Sequence, residues 1–155
     1  TVSSFDLREL QFIVAEIGDI YEIDLTRGFG YAKVTHHHQT YPDVLRIDPR
    51  NYDHPLEDPG DANFENIVLY PLAQSIEGGR IRARKCLNDP HFPRVLPFPN
   101  FRFAIRDRQG HSIYWWIWNG DSIIPADPDQ DISNLPIRRI LSRDEFIEIW
   151  RTLLK

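Results

Sequence analysis

Alternating hydrophobic and polar residues predict a β-hairpin early in the chain. Residues 20–25 (IYEIDL) alternate with a period of two, which is the pattern of a strand and not of a helix. The sequence TRGFG over residues 26–30 has the glycines of a turn, and the strand pattern resumes over residues 31–34. Just before the hairpin, Gly18 leads into Asp19, whose side chain we expect to bind backbone amides beside the first strand.

Later hydrophobic runs predict more strands. They lie over residues 44–47, 67–70, 80–84, 101–106 and 112–118. Pro71 ends one of them, and the polar residues 107–110 form a turn between the last two. Residues 4–17 fit a helix and a strand about equally well, so their structure stays open.

A helix is predicted at the C-terminal end. Ser142 and Glu145 have the spacing of a capping box, in which each side chain bonds the backbone N–H of the other residue. One apolar face follows, made of Phe146, Ile149, Trp150 and Leu153. The predicted fold is therefore α+β and predominantly antiparallel β: a curved sheet or small barrel with a C-terminal amphipathic helix, in a single domain of residues 1–155.

The run WWIW over residues 115–118 has two large apolar faces if it is a strand. Trp116 and Trp118 point to one side, and Trp115 and Ile117 to the other. One interpretation is a central strand covered on one side by the helix face of Phe146 and Trp150 and on the other by a loop or a second sheet. The other is that one ring stays exposed as an anchor for a partner, because tryptophan is frequent at interface hot spots.

The overall charge limits the classes of partner. The net charge is −5 at pH 7, whereas a nucleic-acid-binding domain is usually basic. No apolar run is long enough to span a membrane, and no secretory leader is recognisable, so we expect a cytoplasmic protein. Its lone cysteine, Cys86, excludes an internal disulfide.

The carboxylates are concentrated in two proline-containing loops. The first acidic loop covers residues 48–65 and the second covers residues 121–131, and the basic stretch 78–85 lies between them. Loops stiffened by proline lose less entropy on binding, which makes them suitable for docking a basic protein. The predicted partner-binding residues are Asp53, Glu57, Asp58, Asp61, Asp127, Asp129 and Asp131.

Candidates for catalysis are weak. The run His36–His38 could present two histidines to one metal if it lay on a strand, but no third ligand follows at a zinc-site spacing. Cys86 has neighbouring basic residues but no histidine placed beside it by the sequence. No nucleophile-elbow or phosphate-loop motif is present, so we expect neither catalytic residues nor a cofactor.

The hairpin sequence GDIYEIDLTRGFGYAKV resembles the opening of the immunity protein 26 family of bacterial polymorphic-toxin systems. The resemblance runs from Ile17 to Leu154 and includes the tryptophan strand ending in Asn119-Gly120 and the Ser142 helix. Residues 35–64 match nothing in that family pattern. Some members carry a phosphotriesterase-related name, which no metal-binding cluster in this sequence supports.

The resemblance implies a cytoplasmic antitoxin, not an enzyme, that binds and neutralises the toxin domain of a cognate effector. The acidic charge suggests a basic toxin such as a nuclease. Two alternatives stay open: a small metal-dependent hydrolase using His36 and His38, and a ligand-binding module whose tryptophan strand lines a groove. The sequence leaves the oligomeric state undetermined.

Overall fold

The computed structural model describes residues 15–93 and 95–152. The open prediction for residues 4–17 therefore falls almost wholly outside the described part, as does Leu153 of the predicted helix face. The chain forms two compact units, one of Thr1–Arg94 with Ile140–Lys155 and one of Val95–Arg139.

The first unit contains a five-stranded antiparallel sheet with the order β4-β3-β2-β1-β5. Its strands are β1 (Asp19–Asp24), β2 (Phe29–His36), β3 (Val44–Tyr52), β4 (Asn66–Leu69) and β5 (Ala83–Asn88). The predicted hairpin is confirmed as β1 and β2. The Asp19 carboxylate accepts a hydrogen bond from the Glu16 N–H at 2.9 Å, as we expected of it.

Two helices accompany this sheet among the described residues. The short helix α1 (Leu72–Glu77) follows β4, and α2 (Arg143–Thr152) is the predicted C-terminal helix. The capping box is confirmed: the Ser142 N–H donates to Glu145 Oε1 at 3.0 Å, and the Glu145 N–H donates to Ser142 Oγ at 3.2 Å. Neither helix is long and apolar enough to cross a membrane.

The apolar face of α2 packs on the five-stranded sheet and completes the core of this unit. Phe146 stacks on Tyr70 with 4.1 Å between ring centroids, and the Trp150 indole N–H donates to the Asp48 carbonyl at 2.8 Å. The Trp150 ring lies against Gly30, where a Cβ would come within 2.5 Å of it. The Phe146 and Trp150 rings therefore belong to the core of the first unit.

The opposite face of the same sheet carries charged and polar side chains that are nevertheless buried. They include Glu22, Tyr31, Lys33 and Asp48. A short 3-10 helix (Pro59–Asp61) contacts β1 and β5 on this part of the fold. The first acidic loop is therefore packed against the sheet.

The second unit contains a three-stranded antiparallel sheet with the order β6-β7-β8. Its strands are β6 (Phe101–Arg106), β7 (Ser112–Trp118) and β8 (Ile123–Pro125). Trp118 is buried against Phe98 and Phe101, with ring centroids 5.2 and 5.5 Å away. The guanidinium of Arg138 lies 3.8 Å from the centroid of the Phe103 ring on the same face.

The α+β, mainly antiparallel prediction is confirmed, and both sheets are open, so the barrel alternative is wrong. Strands 101–106 and 112–118 are found as predicted. The strand predicted over residues 80–84 lies instead over Ala83–Asn88, and the strand predicted to end at residue 47 continues to Tyr52.

Candidate partner-binding surface

Asp48 is a buried carboxylate in the bulged part of β3. The register with β2 shifts between Tyr31 and Phe29, and Pro49 is accommodated in this irregular stretch because a bulge tolerates a residue without an N–H. The Asp48 side chain is fully buried. Its oxygens accept hydrogen bonds from the Arg50 N–H, Nε and Nη2 (3.0–3.2 Å), the Tyr52 hydroxyl (2.6 Å) and the Asn63 N–H (3.0 Å).

These donors keep Asp48 ionised. Burial alone would raise the pKa of the carboxyl, but the hydrogen bonds from Arg50, Tyr52 and the backbone of Asn63 outweigh it and lower the pKa below its ordinary value. Burial, together with its bond to Asp48, raises the pKa of the Tyr52 hydroxyl to about 12. The carboxylate therefore joins β3 to Asn63, fifteen residues further along the chain.

Tyr31 provides a second attachment for the same loop. Its hydroxyl accepts a hydrogen bond from the Leu56 N–H at 2.7 Å and donates one to Glu22 Oε2 at 2.8 Å. Glu22 is buried and is paired with Arg84 Nε at 3.1 Å. Burial chiefly, with the Glu22 carboxylate, raises the pKa of the Tyr31 hydroxyl to about 12.

Lys33 provides a third attachment. Its ammonium lies 4.7 Å from the centroid of the Phe64 ring and 5.1 Å from that of Phe92, and it bonds Asp89 Oδ2 at 3.0 Å. That bond lowers the pKa of the Asp89 carboxyl. The adjacent Glu65 N–H donates to the Ile47 carbonyl at 3.1 Å, so the end of the loop is bonded to β3 as well.

Residues 48–52 thus belong to β3, and we call the remaining residues 53–65 the acidic segment. It holds five carboxylates and no lysine or arginine. All four contact residues predicted in it are exposed: Asp53, Glu57, Asp58 and Asp61. Asp58 also accepts a hydrogen bond from the Gly60 N–H at 3.0 Å and so caps the 3-10 helix.

The three other predicted contact residues, Asp127, Asp129 and Asp131, are exposed in the second unit. Asp127 Oδ1 accepts from the Asp129 N–H at 3.1 Å, which fixes a local turn. Asp131 accepts from the hydroxyl and the N–H of Ser133, and these bonds lower the pKa of its carboxyl. The two acidic loops belong to different units.

A cavity of about 260 Å³ adjoins the second acidic loop. Its walls are formed by residues that include Tyr114, Trp115, Asp127, Gln130 and Ile132. Tyr114 is 46% exposed, whereas Trp115 and Trp116 are half-buried and Trp118 is buried, so none of the three tryptophan rings is the exposed anchor that the sequence suggested. The sequence indicated the strand and the carboxylates separately but gave no sign that they meet.

The histidine run does not continue β2 as a strand. His36 ends β2 and is buried, with Nδ1 2.9 Å from Thr35 Oγ1. His38 lies in the following turn, where Nδ1 accepts from the Thr40 and Tyr41 N–H groups at 3.0 Å. Within residues 15–93 and 95–152, no three histidine, cysteine or acidic side chains are grouped so that they could hold a metal ion.

Comparison with known proteins identifies no relative for this chain. No family model matches the sequence, and neither a curated protein nor a solved structure matches it.

Proposed function

We propose that this protein is a cytoplasmic immunity protein that binds and neutralises the toxin domain of a cognate bacterial effector, and that it is not an enzyme. One observation carries the proposal. The exposed carboxylates lie on a segment that buried side chains hold at Leu56, Asn63 and Phe64. A surface ordered in this way loses little entropy when a partner binds.

The charge of the acidic segment indicates the kind of partner. Five carboxylates without an intervening lysine or arginine produce a negative field, which accelerates association with a basic protein. A nuclease toxin is such a partner, because its substrate site attracts phosphates and would also attract carboxylates. The resemblance to the immunity protein 26 family supports the same function.

In this proposal the cavity beside Asp127 receives a lysine or arginine side chain of the toxin. The exposed Tyr114 ring suits a cation, and the Asp127 carboxylate would pair with its charge. The cavity is large enough for one such side chain. One anchored side chain would fix the orientation of the bound toxin. Attraction between charges alone does not fix that orientation.

Co-purification at low salt tests the proposal. The tagged protein, added to extract of its source organism, is expected to retain a stoichiometric C-terminal fragment of a large secreted protein. Mass spectrometry of the retained fragment identifies the toxin class. Retention of no such fragment from extract that contains the effector would contradict the proposal.

Variants that neutralise charges of the acidic segment test whether this surface binds the toxin. Glu57→Gln, Asp58→Asn and Asp61→Asn together remove three charges, and the amide oxygen introduced by Asp58→Asn can still accept the Gly60 N–H bond. We expect the association rate constant with the captured toxin to fall about tenfold or more at low salt. Surface plasmon resonance at several salt concentrations measures this rate.

The matched control removes three charges from the helices: Glu77→Gln, Asp144→Asn and Glu148→Gln. All three side chains are exposed, so the control has the same net charge as the test variant. It should associate with the toxin nearly as fast as the unmodified chain. Equal association rates of the two triple variants with the toxin would show that the acidic segment is not part of the interface.

The hydrolase alternative predicts that the purified protein holds a stoichiometric metal ion. His38 Nδ1 already accepts two backbone N–H groups, so a metal on that nitrogen would have to displace them. We expect substoichiometric zinc in protein purified without an immobilised-metal column, measured by plasma mass spectrometry. Stoichiometric zinc that is retained through gel filtration and lost in a His36→Ala variant would favour the hydrolase.

A further inference from the structure

A cavity of about 380 Å³ lies beside the β1–β2 turn, on the side of α2. The described residues that line it are Leu25, Thr26, Arg27, Asn51, Ile147 and Arg151. Leu25 and Ile147 are buried apolar residues, whereas the other four are polar residues that carry hydroxyl, amide and guanidinium groups. This combination of an apolar wall and a few convergent polar groups is typical of small-ligand sites.

The turn that borders the cavity holds a strained residue. Thr26 has φ of 72°, a left-handed conformation that a β-branched side chain rarely adopts. The first central position of such a tight turn usually carries glycine, asparagine or aspartate. Strain of this kind persists only where the surroundings enforce it, and it is frequent at binding sites.

The surroundings of the turn do enforce its shape. The Thr26 N–H donates to Asp24 Oδ1 at 2.8 Å, and the Leu25 N–H donates to the Gly28 carbonyl at 3.0 Å. Asn51 Nδ2 donates to the Arg27 carbonyl at 3.1 Å. A Cβ at Gly28 would collide with Asn51 Oδ1, so the amide is packed tightly against the turn. The turn and Asn51 thus form a prebuilt wall of the cavity.

The charges at the cavity favour an anion. Among the described residues, no carboxylate lies within ion-pair distance of the Arg27 guanidinium, while Arg151 reaches Glu148 only at 4.0 Å. The nearby Asp24 carboxylate accepts from the turn and lies 3.6 Å from Arg82. Arg27 therefore leaves positive charge at the cavity in a chain whose net charge is −5.

We propose that this cavity binds a small organic oxyanion, a phosphate monoester or a carboxylate attached to an apolar body. The guanidinium groups of Arg27 and Arg151 have the planar fork that pairs with two oxygens of such a group. The Thr26 hydroxyl and Asn51 amide supply further donors, and Leu25 and Ile147 contact the apolar body. This binding goes beyond the proposed neutralisation and does not depend on it.

Nuclear magnetic resonance titration with three probes tests the site. Phenyl phosphate and benzoate carry the two oxyanions on one apolar ring, and benzyl alcohol is the neutral control. We expect at least one anion to shift the Asn51 side-chain amide and the Thr26 and Arg27 backbone resonances saturably. Benzyl alcohol should leave these resonances unchanged. The anion that binds more tightly shows whether the site prefers a phosphate or a carboxylate.

Variants separate a binding role from a structural one. Arg27→Ala is expected to lower the affinity for the preferred anion about tenfold, which is the usual effect of losing one charge-assisted hydrogen bond. Arg108→Ala, which removes an exposed arginine in the other unit, should leave affinity unchanged. Thr26→Gly relieves the strained conformation, so it should preserve the melting temperature. It also removes the Thr26 hydroxyl, so it should lower the affinity for the anion.

Three results would overturn the proposal. The first is the absence of saturable shifts at these resonances with both anions up to about 10 mM, the range of weak small-ligand affinity. The second is binding of benzyl alcohol as tight as that of the anions. The third is unchanged anion affinity in both Arg27→Ala and Arg151→Gln.

Discussion

Asp48→Ala is expected to lower the free energy of unfolding by about 1–3 kcal/mol, because its fully buried carboxylate is the acceptor for the Tyr52 hydroxyl and the Asn63 N–H, whereas the exposed Arg50 can bond to water instead. The Arg50, Tyr52 and Asn63 donors would all lose their acceptor. Urea unfolding followed by circular dichroism measures the change. Asp53→Ala, an exposed carboxylate in the same part of the chain, should change stability by no more than about 0.5 kcal/mol.

The same substitution should loosen the acidic segment. Hydrogen exchange at the Asn63 N–H, which donates to Asp48, is expected to accelerate in Asp48→Ala more than exchange in the centre of β2. Toxin association should slow as well, although every carboxylate of residues 53–65 remains. Wild-type stability and unchanged exchange at Asn63 in this variant would show that Asp48 does not hold the segment.

The contribution of Asp48 to stability depends on pH in a defined direction. Its pKa is lower in the folded protein than the ordinary value near 3.9 expected in the unfolded chain. The stabilisation is therefore fully present above about pH 4 and is lost as the pH falls from there through the folded-state pKa. The stability difference between wild type and Asp48→Ala should accordingly shrink below about pH 4.

Trp150→Ala should lower the free energy of unfolding by about 3–5 kcal/mol, the cost of emptying a large buried aromatic site. The ring is fully buried, contacts Phe146 edge-on with 5.1 Å between centroids, and bonds the Asp48 carbonyl. Gly30→Ala should cost about 1–3 kcal/mol, because its Cβ would collide with the same ring. Thermal and urea unfolding measure both effects.

A double-mutant cycle checks that Gly30 and Trp150 act on each other. Once Trp150 is replaced by alanine, the added Cβ at residue 30 has room, so the cost of Gly30→Ala should largely disappear. Glu148→Ala, exposed on the same helix, serves as the control and should have a small effect. Additive costs of the two substitutions would contradict the packing of the indole on Gly30.

The hairpin and the C-terminal helix were predictable because their signals are local. Alternation and glycines within residues 20–34 define the hairpin, and Ser142 and Glu145 define the helix start. The other elements depend on distant residues. The hydrophobic run that predicts β3 stops at residue 47, but a bulge opposite β2 lets the strand continue past Pro49 to Tyr52. Arg84 lies in β5, where it pairs with Glu22, which is sixty-two residues away.

The candidate surface was predictable only in part, because it also depends on residues that are distant in the sequence. The sequence indicated which carboxylates would be exposed, since prolines and acidic residues mark the loops. It could not distinguish Asp48, which is buried and structural, from Asp53, which is exposed. That distinction depends on donors supplied by Tyr52 and Asn63 through the folded chain.

Protection of bacterial growth tests toxin neutralisation directly. The captured toxin domain is expressed in a bacterial host together with this protein, with the Glu57/Asp58/Asp61 variant, or with the helix control variant. We expect that the protein and the helix control restore growth, whereas the acidic-segment variant protects less. Failure of the unmodified protein to protect, although it is expressed and folded, would contradict toxin neutralisation. Full protection by the acidic-segment variant would contradict the assignment of the interface.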